Sequence, residues 1–294
     1  MPTLILTPRF TEDSQALWRA AGQLGWKVER LATWRVPDEL RSVAEPVLYL
    51  EALFGPTLAA QFGLRLLEPA EDWLPRLPVE YRQRDIALTT LREARARMEP
   101  AFVKPPNDKS FPAAAHTGAS LPAEYPEDMS VLVSEIVTWE KEFRGFILDR
   151  TLRTHSVYLR DGELQRENGF RSSEGEDAEA IAFVETVLAD PRVELPRTAV
   201  IDVGVIAGKG WAVVEQNSAW GSGIYGCDPA EVLEVLRFAS VPDGSPPPSG
   251  SHQAMSVQAT PLLDTARKSL RGIACPEKMG LSRNSAPVQR RVGG

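Results

Sequence analysis

The chain has 294 residues, 43% of them hydrophobic, and 40 acidic against 33 basic residues give a formal net charge of −7. That size supports one large or two modest cores, and the acidic balance argues against a general nucleic-acid surface. Its two cysteines, Cys227 and Cys275, fit neither a zinc spacing nor a disulfide framework, so a reducing cytoplasmic setting is expected; the apolar start Leu4-Ile5-Leu6 is too short for a signal peptide or a membrane span.

The first hundred residues alternate strand and helix signals. Thr3 to Thr7 reads as a strand, Glu12 to Leu24 as an amphipathic helix and Trp26 to Leu31 as a second strand. Val47 to Leu50 and Leu64 to Leu67 repeat the strand signal around a helical Glu51 to Phe62. This alternation predicts a small parallel α/β domain over residues 1–99. No G-x-G-x-x-G follows the first strand, so a dinucleotide site is not expected. Arg82 to Met98 reads as a connecting helix ended by Pro100.

A second domain is expected over residues 100–240. Ala101-Phe-Val-Lys104 is a short apolar run ending in lysine, followed by a loop with Asn107, Asp108 and Lys109. Ser130 to Val137, containing Glu135, is a buried-looking strand, and Thr138 to Leu148 carries Glu140, Glu142 and Arg144 on alternate positions. Taken singly, Lys104 reads as a strand end reaching into solvent and 140–144 as a solvated charge ladder. Asp149-Arg150 and Asp161-Gly162 are hairpin turns, and Ala178 to Leu188 has helical spacing. If Asp149-Arg150 is a two-residue turn, His155 faces Arg144, although a structural histidine is the simpler reading.

The segment Thr198 to Gly226 is the most specific. Apolar alternation flanks Gly208-Lys209, a two-residue turn that pairs Ala207 with Gly210 and sets Asp202 opposite Glu215. Asn217, two residues on, shares their face, and so on this register do Val200, Val213 and Trp211, which implies partial burial. Two carboxylates across a ladder repel; a divalent cation between them reverses the sign. Two carboxylates and an amide oxygen form a hard ligand set suited to Mg²⁺, with water and phosphate completing the shell. The alternative is a hairpin face whose charges point into water.

Asp228-Pro229-Ala-Glu231 then reads as a capped helix start running to about Phe238. Residues 241–294 turn Pro/Ser/Gly-rich, with seven basic and three acidic residues for a local charge of +4, and read as a disordered basic tail with one short apolar stripe at Leu262 to Leu270.

The order of these motifs resembles the ATP-grasp ligases. The fold class expected is therefore α/β (α+β), a small parallel domain followed by an ATP-grasp fold whose antiparallel sheet is covered by helices. The resemblance implies that Lys104 contacts nucleotide phosphates, with Lys109 as a second contact. Backbone groups of Glu135 and Val137 would read the adenine edge and Glu142 the ribose. Arg144 would face the phosphate or the acyl phosphate. Glu215 would bridge two Mg²⁺ ions (or Mn²⁺), with Asp202 and Asn217 each holding one. The implied activity is ATP-dependent joining of a small-molecule or peptide carboxylate to an amine through an acyl phosphate. A kinase-like phosphotransferase and a non-catalytic nucleotide-binding module are the alternatives.

Overall fold

A computed structural model describes residues 1–107 and 109–245. Three short strands, β1 (Thr3–Leu6), β2 (Lys27–Arg30) and β3 (Pro46–Tyr49), form a parallel sheet in the order β2-β1-β3. Helix α1 (Glu12–Gln23) follows β1. It starts at a reciprocal cap in which Thr11 and Ser14 each accept the other's backbone N–H, and its buried Leu17, Ala20 and Ala21 face the sheet core. Helix α2 (Gly55–Gln61) is shorter than the expected Glu51 to Phe62. β4 (Leu64–Leu66) does not join the parallel sheet as expected.

The expected helix over Arg82 to Met98 is corrected. Two single-turn helices, α3 (Trp73–Arg76) and α4 (Val79–Arg82), lead into a strand, β5 (Ile86–Thr90), and only Leu91–Arg95 is helical (α5). The boundary is chemical: the Thr90 hydroxyl accepts the Glu93 N–H, and the Glu93 carboxylate accepts the Thr90 N–H. That cap starts a helix at residue 91 and leaves Ile86-Ala-Leu-Thr-Thr90 free to pair.

β5 joins β6 (Ala101–Lys104), β7 (Ala114–His116) and β8 (Ser130–Ser134) in a four-stranded antiparallel sheet, order β5-β8-β6-β7. Residues 135–138 cross from β8 to a five-stranded antiparallel sheet. It contains β9 (Trp139–Leu148), β10 (Thr151–Arg160), β11 (Glu163–Leu164), β12 (Thr198–Ile206) and β13 (Gly210–Asn217), in the order β11-β10-β9-β12-β13. Between β11 and β12 comes helix α6 (Glu174–Ala189), and helix α7 (Pro229–Leu236) follows β13, with the Asp228 carboxylate accepting the Ala230 and Glu231 N–H groups. β14 (Ser240–Pro242) then pairs antiparallel with β4. The chain therefore stays in a sheet to Pro242, two residues into the expected tail. Residues 246–294, including Leu262 to Leu270, His252 and Cys275, lie outside the described residues.

The two helices sit on opposite faces of the five-stranded sheet. α7 packs with Phe146, Leu148 and Val200 and with the parallel sheet in one core. α6 packs on Phe143, Ile147, Ile201 and Val203 in another, which reaches Ile86 and Leu132 of the four-stranded sheet. The four-stranded sheet has a core of its own with Leu91, Phe111 and Val131.

Three bulges set the registers. At the β12–β13 hairpin Ile206, not Ala207, pairs with Gly210, so the loop has three residues; an extra residue at Val214 then restores Asp202 opposite Glu215. The bulge also corrects the face expected for Val213 and Trp211: they pack with Ile201 and Val203, opposite Glu215. On β10 the turn Asp149-Arg150 has both residues left-handed (φ 47° and 61°), as a two-residue hairpin requires. An extra residue at Arg153 shifts Ser156 opposite Arg144, so His155 faces Gly145 instead and meets Asp177 at 3.3 Å. A third extra residue, Tyr158, falls between Val157 and Leu159.

Candidate nucleotide and metal site

The four- and five-stranded sheets enclose a cleft of about 1140 Å³, with Lys104 and Leu132 on one wall and Glu142, Arg144, Glu215 and Asn217 on the other. β9 and β12 supply its floor. Arg144 and Asp202 are register partners, and the guanidinium grips both carboxylate oxygens, Nε to Oδ1 at 2.9 Å and Nη2 to Oδ2 at 2.6 Å. Asp202 is fully buried. Burial pushes its carboxyl up, Arg144 pulls it back, and Asp202 in turn raises the guanidinium against the effect of its own burial. Nη1 of Arg144 donates to the Gly223 carbonyl at 3.0 Å, and the guanidinium lies over the rings of Tyr158 and Tyr225.

Opposite this pair, Glu215 bonds the Lys104 ammonium, which arrives from β6. Burial alone would raise Glu215, but Lys104 and the Asn217 amide outweigh it and hold its pKa down to about 2. Asn217 Nδ2 donates to Glu215 Oε1 at 2.8 Å and to Asp202 Oδ2 at 3.3 Å. The three residues read from the sequence as a ligand set thus converge on one point. Among the described residues no group of three or more His, Cys, Asp or Glu side chains could hold a metal. Two carboxylates and an amide turned to present its oxygen fit a hard cation only when water and phosphate oxygens complete the shell.

The predicted adenine and ribose residues line the same cleft. Glu135 and Val137 stand in the 135–138 crossing. The Glu135 N–H is occupied by the Asp85 carbonyl at 2.9 Å and its carboxylate by Lys209 at 2.7 Å. Glu142 is 8% exposed; burial pushes its pKa up to about 7, with Asp202 and Glu215 adding and Tyr158 opposing. Lys109 lines the cleft on the loop after β6, tethered where Asn107 Nδ2 donates to the Pro69 carbonyl at 2.8 Å; Asp108 lies outside the described residues.

Sequence reasoning missed Arg84 and Tyr158. Arg84 lines the cleft over Trp139, 7% exposed, its pKa pulled down to about 10 by burial. Nη1 donates to Val213 O at 2.7 Å and Nη2 to Val214 O at 2.8 Å, pinning the bulge that presents Glu215. Its signal was hidden by reading 82–98 as helix. Tyr158 reaches the site from a bulge, which no local pattern announces.

No helix among the described residues is long and apolar enough to cross a membrane. No match to a curated protein sequence is found. Among solved structures the chain is similar to the D-cycloserine synthetase DcsG, at 15% identity and TM-score 0.51, over 80% of this chain and 98% of that one. It is also similar to D-alanine–D-alanine ligase from Bacillus anthracis, at 13% identity and TM-score 0.49 over 81% and 96% of the two chains. A RimK domain protein ATP-grasp from Sphaerobacter thermophilus DSM 20745 matches at 13% identity and TM-score 0.47, over 81% and 99%. Such identities speak to fold alone. A family model of the ATP-grasp domain, family 2 of its clade, matches residues 81–235, which span every residue of the site, and the chain belongs to that ATP-grasp family.

Proposed function

We propose that the protein is an ATP- and Mg²⁺-dependent ligase that joins a carboxylate to an amine through an acyl phosphate. The observation that carries this reading is the convergence of Lys104, Arg144, Asp202, Glu215 and Asn217 in the cleft that Glu142 and the 135–138 crossing also line. In the ligand-free chain each carboxylate is paired with a cationic side chain, so the site is poised to exchange partners. Lys104 would turn from Glu215 to the nucleotide phosphates, and Lys109 on its loop would add a second cation. Glu142 would accept from the ribose hydroxyls, as a diol pairs with one carboxylate. The Glu135 N–H is engaged, so the adenine edge would meet the Glu135 carbonyl as acceptor and the Val137 N–H as donor. Glu215 and Asn217, with Asp202 behind them, would hold Mg²⁺, which neutralises charge on the transferring phosphoryl group. Arg144 would face the phosphoryl oxygens, and enclosure of the cleft would keep water from the acyl phosphate. Residues 1–99 would shape the substrate end, where Ala52 and Pro56 meet the Ser222-Gly223 loop.

The test is incubation with MgATP and pooled amino acids, with and without hydroxylamine. A ligase releases ADP only when a carboxylate is present and gives an amide, or a hydroxamate when hydroxylamine intercepts the acyl phosphate. Phosphorylated product that no amine consumes would make the site a kinase; ATP binding without ADP release would make it a silent module.

A further inference from the structure

Tyr158 sits where no strand residue of regular register would. It is the extra residue between Val157 and Leu159 on β10, and bulges beside functional sites re-aim side chains. The phenol is 7% exposed and its ring stacks on Tyr225 at 5.1 Å with an interplanar angle of 11°. Tyr225 has a left-handed backbone (φ 47°), a conformation a bulky residue adopts only when its surroundings impose it. Two irregular backbone positions therefore combine to fix one hydroxyl. That hydroxyl lies 2.6 Å from Glu142 Oε2 and 3.5 Å from Asp202 Oδ2. A phenol has a single proton to donate. Burial and the surrounding carboxylates raise its pKa well above the ordinary tyrosine value, so the proton stays on the oxygen.

Resting on the functional reading above, we infer that Tyr158 is a positioning residue whose one O–H is shared between the ribose carboxylate Glu142 and the cation-side carboxylate Asp202, coupling occupancy of the two subsites. In the ligand-free chain the proton is on the Glu142 side. A ribose that takes Glu142 releases the O–H to Asp202 Oδ2, the oxygen that also accepts from Arg144 Nη2 and Asn217 Nδ2. A cation drawing on Asp202 does the reverse and holds the O–H on Glu142, where it competes with the ribose. The two occupants therefore oppose each other through one proton, and such coupling is reciprocal.

Tyr158→Phe removes the hydroxyl and keeps the ring that stacks on Tyr225, and unchanged melting would show the fold retained. Calorimetry of the full chain would give dissociation constants for ATP and 2′-deoxy-ATP, each in EDTA and in excess Mg²⁺. In the wild type the penalty for losing the 2′-hydroxyl should be about fivefold smaller with Mg²⁺ than without, at the low end of measured couplings between sites. In Tyr158→Phe it should be the same under both conditions. A purely structural role would weaken all four affinities together and leave the wild-type difference in place, which overturns the inference. So would a wild type whose penalty ignores Mg²⁺. Glu142→Gln separates this from failure of the underlying reading: undiminished discrimination against 2′-deoxy-ATP in that variant removes the ribose assignment itself.

Discussion

Arg144–Asp202 joins neighbouring strands of one sheet, whereas Lys104–Glu215 reaches from one sheet to the other. The first pair is 8% and 0% exposed and bidentate; the second is 18% and 27% exposed and joined through a single flexible ammonium. A planar guanidinium that meets both oxygens of a desolvated carboxylate is pre-organised, and its partner has no water to turn to. An ammonium on a four-carbon stem, facing an open cleft, has water and ligand as alternatives. The difference separates an anchor from a gate: the buried pair fixes where β9 and β12 present their charges, and the cleft pair is free to exchange for phosphate and cation.

The largest effect should come from breaking the anchor. Asp202→Ala would leave Arg144 buried with only the Gly223 carbonyl as a hydrogen-bond partner. Stranding one member of a buried pair costs about 3–5 kcal/mol, a large fraction of a typical domain's stability. Denaturant unfolding of the variant should show that loss. A change below about 1 kcal/mol would mean that the pair behaves like a surface ion pair and that the anchor lies elsewhere.

How far the site could be read beforehand differs along the same line. Asp202 opposite Glu215 was legible because apolar alternation and a glycine turn fix the phase of a hairpin. That pairing survives only because a longer loop and a bulge at Val214 offset one another. Where one irregularity stands alone, the reading slips: Arg153 moves His155 off Arg144, and Val213 and Trp211 change face. Bulges are held by long-range partners, here Arg84 clasping the carbonyls of residues 213 and 214, and local pattern carries no trace of them. The strand Ile86–Thr90 was missed for a different reason. The Ala- and Arg-rich residues after it favour helix, and the Thr90–Glu93 cap that limits the helix to residues beyond 90 was in plain view.

Glu142 sharpens the comparison through pH. It faces the cleft like Glu215 yet shifts the opposite way, because burial raises it to about 7 and no lysine offsets that. Between the ordinary value of 4.5 and about 7 the unfolded chain releases this proton before the folded one. The folded state is therefore progressively destabilised as pH rises through that window, by about 2–3 kcal/mol at most. Glu142→Gln, whose amide oxygen can still accept from Tyr158, removes the decline. Its stability relative to wild type should increase from pH 5 to pH 8 in urea unfolding, and an equal difference at both pH values would show that Glu142 titrates like an ordinary carboxylate. ATP affinity of the wild type should tighten over the same rise, as the carboxylate gains its second acceptor oxygen.

The gate should show the smallest effect on stability and a distinct one on binding. Its side chains remain partly in water, so removing either partner leaves the other a route to solvation, and exposed pairs are worth only about 0–1 kcal/mol. Lys104→Ala should leave the unfolding midpoint nearly unchanged while raising the ATP dissociation constant about tenfold, since a charge-assisted hydrogen bond contributes about 1.5–3 kcal/mol. Glu215→Ala should be equally mild towards folding, because it also relieves the repulsion with Asp202 and Glu142. It should nevertheless abolish Mg²⁺-dependent ADP release. Calorimetry and melting on the two variants decide the matter together. Stability losses that rival Asp202→Ala would make Lys104–Glu215 a second structural clamp between the sheets. Binding losses without them are what a pair built to exchange its partners must give.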